Sequence, residues 1–214
     1  MTTLAWVLLG VTGALAVTDW LAVASGRRRL EYIAKPATML ALAAVAAALS
    51  VPSPQQQRWF ILALLFGALG DVFLMLPRNR FLAGLTAFLV GHLAYVAGFI
   101  AGGEDPVRIL VYAAVIILPA SVLLPAVVQG ILAKRQRLLV PPVLLYSLVI
   151  TAMVGAALGS SKPLAVAGGL LFYASDTMIG YSRFVFQRRW LPLAIIVTYH
   201  LGQAGLVLSM AQQA

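Results

Sequence analysis

Cysteine is absent from these 214 residues, which excludes disulfides, a thiolate nucleophile and a thiolate metal site. Charge is scarce too. Only 10% of the residues are Asp, Glu, Lys or Arg, against about 25% in soluble domains. Acidic groups are the rarest: six Asp and Glu stand against fifteen Lys and Arg, a net charge of +9. Such an excess suits nucleic acid in a soluble domain, but here the basic residues sit in short loops between apolar runs and make no solvated face. No nucleic-acid partner is expected. There is no Gly-x-Ser-x-Gly elbow for an ester-cleaving serine. Two His and two Asp would suit zinc or iron, yet no His-x-x-x-His or similar short spacing accompanies them. Neither a metal nor another cofactor is expected.

What remains is hydrophobic. Apolar residues make up 62% of the chain, and its mean hydropathy is +0.98. The expectation is an all-α polytopic membrane protein, one domain over residues 1–214. Eight runs approach the roughly 20 residues a span requires: Leu4–Ala24, Tyr32–Val51, Trp59–Leu76, Phe81–Ile100, Val107–Val128, Leu138–Leu158, Pro163–Phe186 and Leu191–Met210. Helices satisfy their own backbone in lipid, which an open sheet does not. Pro and Gly punctuate the connections, as at Leu76-Pro77 and Asp105-Pro106. The first run has no basic residue ahead of it and Arg27-Arg28-Arg29 behind it. That order reads as a span with its N-terminus outside, not as a cleavable leader.

Loop charge sets the expected orientation. The loops and flanks after the first, third, fifth and seventh runs hold twelve Lys and Arg, and the others hold three (Arg58, Arg108 and Lys162). Basic loops stay in the cytoplasm. Both termini are therefore expected outside a cell membrane, with Gly26–Glu31, Pro77–Arg80, Gly130–Arg137 and Gln187–Trp190 inside.

Four residues do not suit lipid: Asp71, His92, Asp176 and His200. A carboxylate in hydrocarbon costs about 3 kcal/mol even on the lenient insertion scale, so such groups turn inward and are used. At a rise of 1.5 Å per residue, Asp71 lies roughly 8 Å from the basic end and the other three about 14–16 Å. Asp19 and Lys35 lie closer to that end. A polar cavity opening to the cytoplasm would hydrate them all. Pro36, Asp71 and His92 recur at similar spacing as Pro142, Asp176 and His200, which points to a 4+4 parallel pseudo-repeat. The stripe Gly84, Gly91 and Gly98 reads as close helix packing.

At these positions the chain resembles the YhhN family of integral membrane proteins, which includes the lysoplasmalogenases. The resemblance rests on Lys35-Pro36, Gly70–Met75 (GDVFLM), Gly84, Phe88, His92 and Tyr95. It continues through Pro142, Tyr146, Gly168–Asp176 (GGLLFYASD), Tyr199 and Gln203. It implies hydrolysis of the vinyl ether of a lysophospholipid that enters from the bilayer. The products would be a fatty aldehyde and glycerophospho-ethanolamine or -choline. Asp176 is expected as the general acid, Asp71 as the base and His92 as the group orienting one of them, with the two carboxylates interchangeable at this stage. Lys35, Tyr146, Ser175, Tyr199, His200 and Gln203 are the expected substrate-binding set, Lys35 meeting the phosphate. The family pattern near the end reads Tyr-Tyr-x-x-Gln, whereas this chain has Tyr199-His200. His92 is thus the histidine expected at the chemistry. The rival reading is a proton-coupled carrier of a small or amphiphilic metabolite, which the same midplane polar groups would serve. The third and seventh runs lack the internal Pro that often interrupts transporter helices.

Overall fold

The computed structural model describes residues 2–76 and 80–212. Within them the chain forms eight α-helices: α1 (Thr3–Ala24), α2 (Arg28–Ala48), α3 (Pro54–Met75), α4 (Phe81–Ala101), α5 (Pro106–Ala133), α6 (Val140–Gly159), α7 (Pro163–Phe184) and α8 (Leu191–Ser209). A 3-10 turn, Arg137–Leu139, leads into α6. The predicted turn at Leu76-Pro77 and most of the Pro77–Arg80 loop, including Arg78, lie outside the described residues.

Local chemistry starts several of these helices. Ser53 accepts a hydrogen bond from the Gln56 amide at 3.2 Å, and Asp105 from the Val107 amide at 2.9 Å. Each is followed by a proline in the first helical turn, where the missing N–H costs nothing. Polar first turns extend α2 and α3 beyond their apolar runs, to Arg28 instead of Tyr32 and to Pro54 instead of Trp59, with a side-chain cap only at α3. Helix α5 runs on to Ala133 instead of Val128, through Pro119 and Pro125. Neighbouring groups compensate such breaks inside a membrane bundle. Tyr181 of α7 donates to the Leu123 carbonyl at 3.1 Å and ties α7 to this stretch of α5.

Among the described residues, seven helices are long and apolar enough to cross a membrane. The chain is a multi-pass membrane protein. Helix α7 has the length, at 22 residues, but less apolarity, because Ser175, Asp176, Thr177 and Ser182 share it with three glycines.

Consecutive helices pair as the hairpins α1–α2, α3–α4, α5–α6 and α7–α8. Between hairpins, α2 packs on α3 and α8, and α6 packs on α7 and α4. The α2–α8 and α6–α4 contacts correspond under a 4+4 division of the chain. The peripheral helices break it, since α1 packs on α8 while α5 packs on α7. Small residues let the central helices touch. A Cβ at Gly168 would lie 2.6 Å from the Leu206 amide nitrogen, and one at Gly91 would lie 3.2 Å from the Ala63 carbonyl. Gly84, Gly91 and Gly98 all abut α3 side chains or backbone, so that stripe is a packing surface.

Candidate active site

The close α3–α4 and α7–α8 contacts leave a cavity of about 150 Å³ lined by Lys35, Asp71, Ser175, Asp176 and Tyr199, with Phe88 and isoleucines completing the wall. Two carboxylates from different helices thus share one small space. Asp71, in the last turn of α3, is buried and accepts the Tyr199 hydroxyl on Oδ2 at 2.9 Å. Gly67, one turn earlier, makes room for that arm: a Cβ there would lie 3.1 Å from Tyr199 Oη and 3.2 Å from Gln203 Nε2.

Asp176 is held differently. Its Oδ2 accepts the Tyr146 hydroxyl, and His92 Nε2 lies 3.2 Å from the same oxygen and 2.9 Å from Tyr146 Oη. Tyr146 has one proton and directs it at Asp176, so the network assigns the next proton to Nε2 of His92, shared between Oη and Oδ2. Helices α4, α6 and α7 therefore meet at one carboxylate oxygen. Phe172 packs edge-on against His92 at 4.8 Å and against Tyr199 at 5.3 Å, spanning the two halves of the site. Gln203 accepts the Tyr95 hydroxyl behind Tyr199.

Asp176 also opens onto an apolar chamber between α4, α5, α6 and α7, lined by Phe88, Leu123, Leu124, Ile150 and Tyr173 among others. On the side of the basic loops, Leu74 and Ile179 border the cavity, the chamber and a polar vestibule alike.

Asp71, Asp176, Ser175, Tyr199 and Lys35 line the cavity, and His92 and Tyr146 reach it through Asp176. Ser175 Oγ itself donates to the Ile195 carbonyl at 3.0 Å, joining α7 to α8. Lys35 bonds Glu31 one turn away at 2.8 Å. His200 lies apart. Its Nδ1 accepts the Trp20 indole N–H at 3.1 Å, and its Nε2 faces Asp19 on α1 at 3.9 Å. Successive residues on a helix point about 100° apart, so only one of Tyr199 and His200 turns to the cavity. The Trp20–His200 contact gave no sign in the sequence, while the Glu31–Lys35 pair was marked by its i,i+4 spacing. Among the described residues, no group of three His, Asp or Glu stands close enough to hold a metal ion.

The YhhN family model matches residues 30–210, which takes in every residue of this cavity. The chain belongs to the YhhN family. A Mycobacterium tuberculosis lysoplasmalogenase is 34% identical to it over 166 residues, 75% of this chain and 63% of that protein. The Homo sapiens lysoplasmalogenase TMEM86B is 32% identical over 149 residues, 69% of this chain and 61% of that protein. The chain thus spans less than two thirds of the length of these curated relatives. No solved structure matches it. Asp19 and Trp20, the partners of His200, fall outside the YhhN match.

Proposed function

We propose that this YhhN-family chain is a lysoplasmalogenase. It would hydrolyse the vinyl ether of a lysoplasmalogen to a fatty aldehyde and a glycerophospho-ethanolamine or -choline. The observation that carries the reading is the pair of carboxylates, Asp71 and Asp176, on the walls of one small cavity beside an apolar chamber. The names of the relatives support it.

Vinyl ether hydrolysis begins with proton transfer to the β-carbon. The resulting oxocarbenium ion takes up water to give a hemiacetal, which collapses to aldehyde and alcohol. One carboxyl must arrive protonated and the other ionised. Oδ2 of Asp176 accepts from Tyr146 and from the Nε2–H of His92, and two donors on one oxygen favour negative charge there. Asp71 has one donor, Tyr199, and the Lys35 ammonium beside it is bonded to Glu31. We therefore take Asp71 as the acid and Asp176 as the base, the reverse of the order first assigned from the sequence, where the two were interchangeable. Asp71 protonates carbon, and Asp176 takes a proton from the attacking water. In the collapse, Asp176 returns its proton to the departing glycerol oxygen, and Asp71 removes the hemiacetal hydroxyl proton. Both groups are then restored. The chamber receives the alkenyl chain, and the excess of Lys and Arg in the loops beside it supports a cavity mouth on the cytoplasmic side.

The test is to incubate the purified protein with a lysoplasmalogen and follow aldehyde by mass spectrometry. Aldehyde in step with loss of substrate is the expected result. Transport of the lipid without aldehyde, or release of fatty acid from an acyl lysolipid at a comparable rate, overturns the reading.

A further inference from the structure

Lys35 is paired with Glu31 at 2.8 Å, and that carboxylate disfavours a phosphate beside it. Toward the basic loops, on the other side of the shared wall residues Leu74 and Ile179, lies a vestibule of about 430 Å³ lined by Lys134, Gln136, Ser182, Arg183 and Gln187. Among the described residues that line it, none is acidic. Lys134 comes from the end of α5 and donates to the Arg183 backbone carbonyl, which ties its ammonium to the end of α7. The Arg183 guanidinium lies over the Phe81 ring, its Cζ 4.0 Å from the centroid, a cation–π contact at the mouth. An adjoining recess adds Arg135 and Arg137. Other basic residues of the same membrane face, such as Arg188 and Arg189, are exposed and line none of this space.

The dimensions fit a lysophospholipid. Arg183 follows Asp176 by seven residues of α7, about 10 Å along the axis. In a lysoplasmalogen, seven covalent bonds separate the β-carbon from phosphorus, about 8 Å when extended. A lipid with its double bond between the carboxylates and its tail in the apolar chamber sets its phosphate beside Arg183 and Lys134.

We infer that Lys134 and Arg183, with Gln136, Ser182 and Gln187, form a phosphate-binding vestibule that selects lipids whose headgroup carries a phosphate. The choice of lipid rests on the hydrolase reading. Arg183 supplies planar donors and Lys134 a point charge, a pairing suited to phosphate oxygens.

The experiment measures binding, not turnover. Purified protein in neutral detergent is titrated with a saturated long-chain alkyl-ether lysophosphatidylethanolamine and, separately, with the matching alkylglycerol that lacks phosphate. The wild type is expected to prefer the phospholipid by at least about tenfold, the scale of one charge-assisted hydrogen bond. Lys134→Gln and Arg183→Gln should each abolish most of that preference and leave alkylglycerol affinity unchanged. Arg183→Lys, which keeps the charge but not the stack on Phe81, should retain much of it. Arg188→Gln and Arg189→Gln should match wild type, and millimolar inorganic phosphate should not displace the lipid. The inference is overturned by a wild type without preference, by equal losses in the Arg188 and Arg189 variants, or by an Arg183→Lys variant as impaired as Arg183→Gln. Displacement by inorganic phosphate would assign the site to the free anion and overturn it as well. Neither ligand contains a vinyl ether. A protein that shows the expected pattern yet releases no aldehyde from lysoplasmalogen refutes the hydrolase reading and leaves the vestibule standing.

Discussion

Tyr199 of α8 donates its hydroxyl to Asp71 on α3 at 2.9 Å, across the cavity that both residues line. The bond fixes one oxygen of the carboxyl and leaves the other for substrate. Tyr199→Phe keeps the ring packed against Phe88 and Phe172 and removes only the donor. The loss to stability should be about 1 kcal/mol, and kcat for aldehyde release should fall about tenfold as Asp71 loses its fixed orientation. Thermal unfolding and steady-state kinetics on the same sample separate the two effects. An unchanged kcat would remove Tyr199 from the chemistry.

Asp71→Asn and Asp176→Asn preserve shape while removing acid and base. Each should cost at least the 10²–10⁴-fold typical of such groups and leave a folded, monodisperse protein. Near-normal turnover in both variants ends the paired-carboxylate mechanism. Single variants at His92 and Tyr146 should fall between these and wild type, because both act through Asp176.

Glycines on the two sides of the bundle should behave oppositely. At Gly168 a Cβ meets α8 backbone at 2.6 Å, whereas at Gly13 nothing lies within 4 Å. Gly168→Ala should destabilise the α7–α8 hairpin by about 1–3 kcal/mol through overpacking. Gly13→Ala should be neutral or stabilising, given alanine's advantage of up to about 1 kcal/mol in a helix. Melting temperatures in one detergent check both, and equal shifts would contradict the packing described.

The helices were legible because lipid imposes a minimum apolar length, and the carboxylates because that same lipid makes them conspicuous. Helix ends were less so. Gln57 closes α2 from outside it, donating to the Ala46 carbonyl at 2.7 Å and the Leu49 carbonyl at 3.1 Å, a tertiary contact with no local signal. Within the site, Asp71 and Asp176 could be placed at similar depth by counting residues. Which neighbours faced them could not, because that depends on helix rotation. His200 and Tyr199 are adjacent in the chain, yet one meets Trp20 and the other Asp71. The vestibule escaped notice for a related reason. Helical spacing puts Arg183 on the Asp176 face of α7, whereas Lys134 looked like one more member of the positive-inside set, and only the fold brings it to the end of that helix.

Orientation is tested on the loops. The chain contains no cysteine, so single cysteines placed between Gly130 and Arg137 report without background. An impermeant maleimide applied to intact cells should leave that loop unlabelled and should label a cysteine near Glu104, between α4 and α5. The reverse pattern would invert the bundle and turn the cavity mouth outward.

The last expectation separates cleavage by carbon protonation from every other route. A saturated alkyl ether has no double bond to protonate and forms no oxocarbenium ion this way, so it should occupy the cavity and inhibit competitively without turning over. An acyl ester needs donors aimed at a developing oxyanion, whereas the donors lining the cavity are turned to other acceptors: Tyr199 to Asp71, Ser175 to the Ile195 carbonyl and Lys35 to Glu31. Acyl lysolipids should therefore be poor substrates. In deuterated water, the proton that Asp71 passes to carbon is replaced by deuterium, and the aldehyde should carry one deuterium at its α-carbon. The rate should fall as well, because transfer to carbon limits the reaction. The aldehyde must be trapped as it forms, before exchange through its enol obscures the label. Trapped aldehyde without deuterium would show that the ether is broken elsewhere, and the roles given to Asp71 and Asp176 would fall together.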